Sequence, residues 1–204
     1  MMLLIVGLIV FLGVHLLPTF PAVRDDFRNR FGASTYKIGF SVLSLIGFAV
    51  IILGYYKMQL HPGKNPVLWE SPTWMRHVAL TLMLPAIIFL VAANVPSKIR
   101  NAVRHPMLLA IKLWALAHLL VNGDVASLLL FGSFLAYAIY DRISVKERGA
   151  LGPLGDKQST SAVNDLVVVG VGLALYAALL FGGHQWLIGV SPLPGLTGAA
   201  MPSS

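Results

Sequence analysis

Residues 104–124 read RHPMLLAIKLWALAHLLVNGD. Pro106 sits where a helix can begin without needing its N–H, and Asn122-Gly123-Asp124 is a tight-turn signal. Between them runs a stretch of Leu, Ile, Ala and Trp, and a second apolar run starts directly after the turn. Two apolar segments joined by three residues form a helical hairpin, and both are too apolar for the surface of a soluble domain.

The rest of the chain agrees. Of its 204 residues 57% are hydrophobic and 11% charged, with a mean hydropathy of +0.78, a balance that fits a polytopic membrane protein. Six apolar segments stand out, at about 2–20, 38–57, 74–95, 106–122, 124–141 and 163–187. A lone segment in lipid must satisfy its own backbone groups, so each is expected to be helical. The expected fold is therefore an all-α, six-helix transmembrane bundle with spans four and five as a short hairpin. No internal repeat and no second domain is evident. The N-terminal run carries no Lys or Arg before Arg24 and no small-residue cleavage site, so it reads as a retained span. The last residues, 188–204, including SPLPGLTGAAMPSS, read as a disordered tail.

Charge sets the expected orientation. Residues 21–37, 96–105 and 142–162 alternate to one side and hold 11 of the 15 Lys and Arg. The positive-inside rule puts them in the cytoplasm and both termini outside. The same distribution accounts for the formal charge of +7 without nucleic acid. There is no cysteine, which excludes disulfides, thiolate metal sites and covalent haem attachment.

Ionisable groups inside spans are costly and mark candidate sites. His15 lies deep in span one, where an interior imidazole bonded to a backbone carbonyl and a ligand are both open readings. On a helix, Trp114, His118 and Asn122 share a face, placing an aromatic ring and an amide on the side of the imidazole. His118 is thus either a polar bridge between helices or part of a cofactor wall. His105 is 13 residues earlier, pointing about 140° away and roughly 19 Å along the axis. It shares a face with Lys112 instead. With Arg104 these residues form a basic rim suited to haem propionates, a lipid phosphate or a nucleotide, or else a headgroup anchor with Lys112 snorkelling. His77, in WMRHVAL, opens span three beside Trp74 and Arg76. Tyr137, Tyr140, Asp141, Asn164 and Asp165 form a possible polar cluster at the ends of spans five and six. His61 and His184 are assigned no role.

Taken together, His15-Leu16-Leu17-Pro18, Arg104-His105-Pro106, the Trp114…Ala117-His118…Asn122-Gly123 run and Asp141-Arg142 resemble the NnrU family of bacterial membrane proteins over residues 1–187. The resemblance implies a six-helix inner-membrane protein associated with denitrification, the reduction of nitrite and nitric oxide. The family is also related to zeta-carotene isomerase, where two histidines are implicated in holding a b-type haem that is active when reduced. Carried over, His15 and His118 are the implied haem ligands, with His77 an alternative partner for His118 if the haem stands upright. The leucines after His15 depart from the small residues of the isomerase. Helix rise puts the two imidazoles about 10–14 Å apart in depth, against roughly 12 Å between the Cα atoms of two axial histidines. The implied partners are membrane lipid, a hydrophobic substrate or nitric oxide, and a redox partner.

Arg-His-Pro opening a helix also resembles isoprenylcysteine and phospholipid methyltransferases, where it helps to bind S-adenosylmethionine. Those continue with an early glycine and a later pair of glutamates. Here residues 141–152 read DRISVKERGALG, with Glu147 alone. A non-catalytic assembly partner of a reductase is a third reading.

Overall fold

The computed structural model describes residues 1–150, 155, 157, 159 and 161–193. Among these the chain is helical: α1 (Met2–Leu16), α2 (Pro21–Phe31), α3 (Ala33–Gln59), α4 (Met75–Ala92), α5 (Lys98–Val103), α6 (Pro106–Val121), α7 (Val125–Glu147), α8 (Ala162–Ala178) and α9 (His184–Ile188). Among the described residues, five segments are long and apolar enough to cross a membrane: Met2–Thr19, Ala33–Gln59, Met75–Ala92, Val125–Glu147 and Ala162–Ile188. Pro106–Val121 is apolar but shorter. The chain falls into two compact units, Met1–Leu80 with Ile111–Ala150, and Thr81–Ala110 with Leu151–Ser204.

The first unit is organised by the crossing of α1 and α3. In lipid there is little hydrophobic drive between helices, so close packing has to supply the association, and small residues allow it. A methyl group at Gly7 would come within 2.6 Å of the Ile51 nitrogen, and one at Gly47 within 2.8 Å of the Phe11 nitrogen. Gly54 meets the backbone of Leu4 in the same way. The helices touch along this seam, and Leu4, Leu8, Ile51, Met58 and Ala126 form the core around it.

The expected loop 21–37 is mostly helix. Pro21 fits the first turn of α2, and Gly32 ends it at φ 84°, a conformation that favours glycine. α3 also begins earlier and α7 runs further than the apolar runs alone indicate, because polar residues at a span's end continue its hydrogen bonding into the headgroup region.

The hairpin turn is held by the connection between α3 and α4. Leu68 N–H donates to the Gly123 carbonyl at 2.7 Å, and Val125 N–H to the Pro66 carbonyl at 3.1 Å. Asp124 caps α7 by accepting from Ser127 N–H and also accepts from Asn65 Nδ2 at 2.9 Å. Ser127 Oγ donates to Asp124 Oδ2 at 2.6 Å, so the Tyr55 hydroxyl, 3.0 Å from Ser127 Oγ, is the donor of that pair. Ser71 reaches the Leu120 carbonyl at 2.8 Å. Buried polar groups of the turn therefore find partners in one strap of chain.

In the second unit the expected loop 96–105 holds α5, capped by Ser97 accepting from Arg100 N–H at 3.1 Å. Arg104 ends it at φ 65°, the one positive φ outside glycine among the described residues. Helical backbone cannot run on through His105, since the residue before a proline is pushed out of the α region. Asp165 accepts from Ile99 N–H at 3.2 Å, and Asn164 Nδ2 donates to the Pro96 carbonyl at 2.7 Å. Further on, Gly172 lets α8 pack closely on Ile88. The last apolar run is interrupted at Leu179–Gly183, where Phe181 and Gly182 leave helical geometry. Of the expected tail, residues 194–204 lie outside the described residues.

Candidate functional site

His15 and His118 both belong to the first unit, and their surroundings follow one plan. His15 Nδ1 lies 2.7 Å from the Phe11 carbonyl, and His118 Nδ1 lies 2.8 Å from the Trp114 carbonyl. A carbonyl oxygen only accepts, so in each pair Nδ1 carries a proton and is the donor. In both cases the acceptor is four residues earlier on the same helix, where helical geometry leaves it within reach. The hydrogen bond fixes the tautomer and turns the ring about its Cβ–Cγ bond, the role that an outer partner plays for a ligating histidine.

Aromatic rings hold the faces. His15 stacks on Phe11 with centroids 4.2 Å apart and meets Phe40 edge-on at 5.1 Å and Tyr137 at 6.3 Å. His118 stacks on Phe131 at 4.5 Å with Trp114 tilted at 5.3 Å. Phe134 joins the two groups, 5.6 Å from Phe11 and 5.6 Å from Trp114. A continuous run of rings thus connects one imidazole to the other. Phe131 and Phe134 are three residues apart on α7, which puts both on its inner side one turn apart, about 4.5 Å in depth.

This arrangement fits the donor chemistry of a metalloporphyrin: two imidazoles, each with Nδ1 committed to a backbone carbonyl, in an aromatic interior. No group of three or more His, Cys, Asp and Glu suited to a bare metal ion occurs among the described residues. A pair of imidazoles falls below that count, and a porphyrin supplies its own four nitrogens.

The other candidates divide. Trp114 packs beside His118, as its helical spacing predicts. Asn122 spends its amide on the His118 carbonyl, 2.8 Å away, rather than on the ring. Lys112 is half-buried in α6. Arg104, exposed, and His105, half-buried, belong to the second unit, whereas Lys112 belongs to the first. His77 is exposed in the first turn of α4. The polar residues near the ends of the last spans form two separate sets of contacts. Tyr137 donates to Asp141 at 3.4 Å, and Arg148 pairs with Asp141 at 3.4 Å. Asn164 and Asp165 instead bind the backbone around α5.

Phe40, Phe131 and Phe134 are not among the candidates that the sequence offers, and Phe11 stands there only as a neighbour of His15. For Phe11 the signal lies in the spacing, one turn before His15; Phe131 and Phe134 share a face of α7, but what that face meets is set by packing.

Comparison with known proteins adds one finding at the level of the family. No curated protein and no solved structure matches the chain. The family model described as NnrU protein matches residues 3–192, nearly the whole length. With its apolar helices, this is an integral, multi-pass membrane protein, and the chain belongs to the NnrU family.

Proposed function

We propose that this protein binds haem b through His15 and His118 and serves nitrite and nitric oxide reduction in a bacterial inner membrane. The observation that carries the reading is the paired Nδ1–carbonyl hydrogen bonds, which orient both imidazoles alike within one aromatic interior. The residues' own work is positioning. Phe11 and Phe131 hold the ring faces, the two carbonyls hold the tautomers, and the surrounding rings keep water away. Haem bound there would supply one-electron chemistry and, on release of one imidazole, a coordination position for a small molecule such as nitric oxide or for isomerase-like chemistry.

The proposed topology has six spans with both termini outside and α6 as the fourth. Its support is the set of hydrogen bonds between residues 65–71 and 120–126, which bring the C-terminal ends of α3 and α6 to one end of the unit. Sixteen residues of helix reach about 24 Å, short of the ~30 Å hydrocarbon layer, a mismatch that local thinning accommodates at modest cost.

The test is the absorption spectrum of the protein purified after expression with ample haem. A bis-imidazole spectrum is expected, lost in His15→Ala and in His118→Ala. Haem-free wild-type protein would sink the reading, and calorimetric binding of S-adenosylmethionine would favour a methyltransferase instead. Membranes lacking the protein should lose nitric oxide turnover, regained with the wild type and not with His118→Ala.

A further inference from the structure

α2 joins two apolar helices long enough to span a membrane, yet it is itself polar and carries an exposed apolar stripe. Val23, Phe27 and Phe31 fall within roughly 80° of one another around the helix, with Phe20 at its N-terminal end. All four are exposed, Phe31 at 59%. Arg24 and Arg28 flank the stripe on one side and Arg30, paired with Asp26, on the other, while Asp25 and Asn29 lie behind it. Exposed phenylalanines bordered by arginines are what an interfacial helix presents to the boundary between headgroups and acyl chains.

Beside α2 lies a cleft of about 410 Å³ lined by Pro18, Arg24, Tyr36, Lys37, Phe40 and Ser41. Two cations and two hydroxyls share this cleft with an apolar ring and a proline. Arg24 is bound by Asp25 through Nε at 2.9 Å and Nη2 at 3.2 Å. The Arg24 hydrogen bond holds the Asp25 carboxyl below the usual carboxylate range, so the pair is ionised at neutral pH.

We infer that this cleft binds the phosphate of an anionic phospholipid, with Arg24 and Lys37 as its cations and the acyl chains lying along the apolar stripe of α2. The lipid, rather than a soluble phosphate, is favoured because the cleft lies between the end of α1, α2 and the start of α3, and α2 bears exposed phenylalanines. A net-negative headgroup is favoured over a zwitterionic one because residues 21–37 carry four cations against two carboxylates. The cleft shares Phe40 with the surroundings of His15, and the two readings are separated by their variants: Arg24→Ala/Lys37→Ala is read by the lipid shift and His15→Ala by the haem spectrum.

The protein in neutral detergent would be unfolded thermally with added dioleoylphosphatidylglycerol, dioleoylphosphatidylcholine or inorganic phosphate. Phosphatidylglycerol is expected to raise the midpoint by about 3 °C, with little effect of the other two. The shift should fall by at least half in Arg24→Ala/Lys37→Ala. Asp25→Asn releases Arg24 and should keep or enlarge it, a gain that a merely damaged fold does not give. An equal shift with phosphatidylcholine, an equal shift with phosphate, or a full shift in the double variant would each overturn the inference.

Discussion

The imidazole of His118 lies on the ring of Phe131, centroids 4.5 Å apart and planes within 25° of parallel. Phe131 is 5% exposed and also meets Trp114 at 5.0 Å and Tyr55 at 6.4 Å. Replacing it with alanine removes three ring contacts worth about 0.5–1.5 kcal/mol each and opens a cavity. A lipid reference state removes most of the water-transfer part, so the expected loss is about 2–3 kcal/mol rather than the larger value of a soluble core. Phe131→Leu, which refills much of the volume, should recover about half. Unfolding of both variants in detergent checks this, and equal stability of Phe131→Ala and wild type would refute it.

Gly7, Gly47 and Gly54 make a sharper comparison possible, because the chain supplies its own controls. Each sits where a methyl group would strike backbone of the facing helix, whereas Gly13 and Gly39 have open space at the same point. Alanine at Gly47 or Gly54 should therefore separate α1 from α3 and lower the unfolding midpoint markedly. Gly13→Ala and Gly39→Ala should leave it unchanged or raise it slightly through helix propensity. The ordering of the four midpoints is the measurement.

Gly123 lies against the carbonyl of Trp69, with no room for a side chain. Gly123→Ala must push the strap away and break the bonds made by Leu68 and Val125. Asp124→Ala removes the cap of α7 and leaves Asn65 and Ser127 without their acceptor, a loss of about 1–2 kcal/mol. Both variants should speed amide hydrogen exchange in residues 65–71 by at least tenfold, while exchange in the middle of α3 stays slow.

Arg104 is a non-glycine residue at φ 65°, where glycine meets no Cβ penalty. Arg104→Gly should raise stability by up to about 1 kcal/mol, less any loss from a more flexible unfolded chain. A fall in the unfolding midpoint would show that the arginine side chain contributes more than the strain costs.

Five of the apolar segments were legible because hydropathy and length act locally, residue by residue, along 2–20 or 38–57, whereas the break at Leu179–Gly183 within 163–187 was not. α2 was missed although Pro21 and Gly32 bracket it correctly, because Arg24, Asp25, Asp26 and Arg28 masked its apolar stripe. His118 and Trp114 could be paired from helical spacing alone. Phe131 could not, since its contact with His118 depends on how α6 and α7 pack after the turn. The strap over Gly123 was also out of reach: Asn65 and Asp124 are 59 residues apart, and nothing local in either marks the other.

Arg100 gives a test within the second unit. Its side chain is 5% exposed and donates to the carbonyls of Lys157 and Gly155, holding those two residues against α5. A guanidinium can reach both acceptors at once, and an ammonium on a thinner stem cannot keep the same fork. Arg100→Ala removes both donors. Lys157 is exposed and is a trypsin site, and cleavage there requires the backbone to leave its present position. Cleavage after Lys157, followed by fragment mass in detergent, should be about tenfold faster in Arg100→Ala. Arg100→Lys should fall between the two, and the rate after Lys57, at the far end of α3, should not change. An unchanged rate at Lys157 in Arg100→Ala would mean that the two hydrogen bonds do not hold the segment.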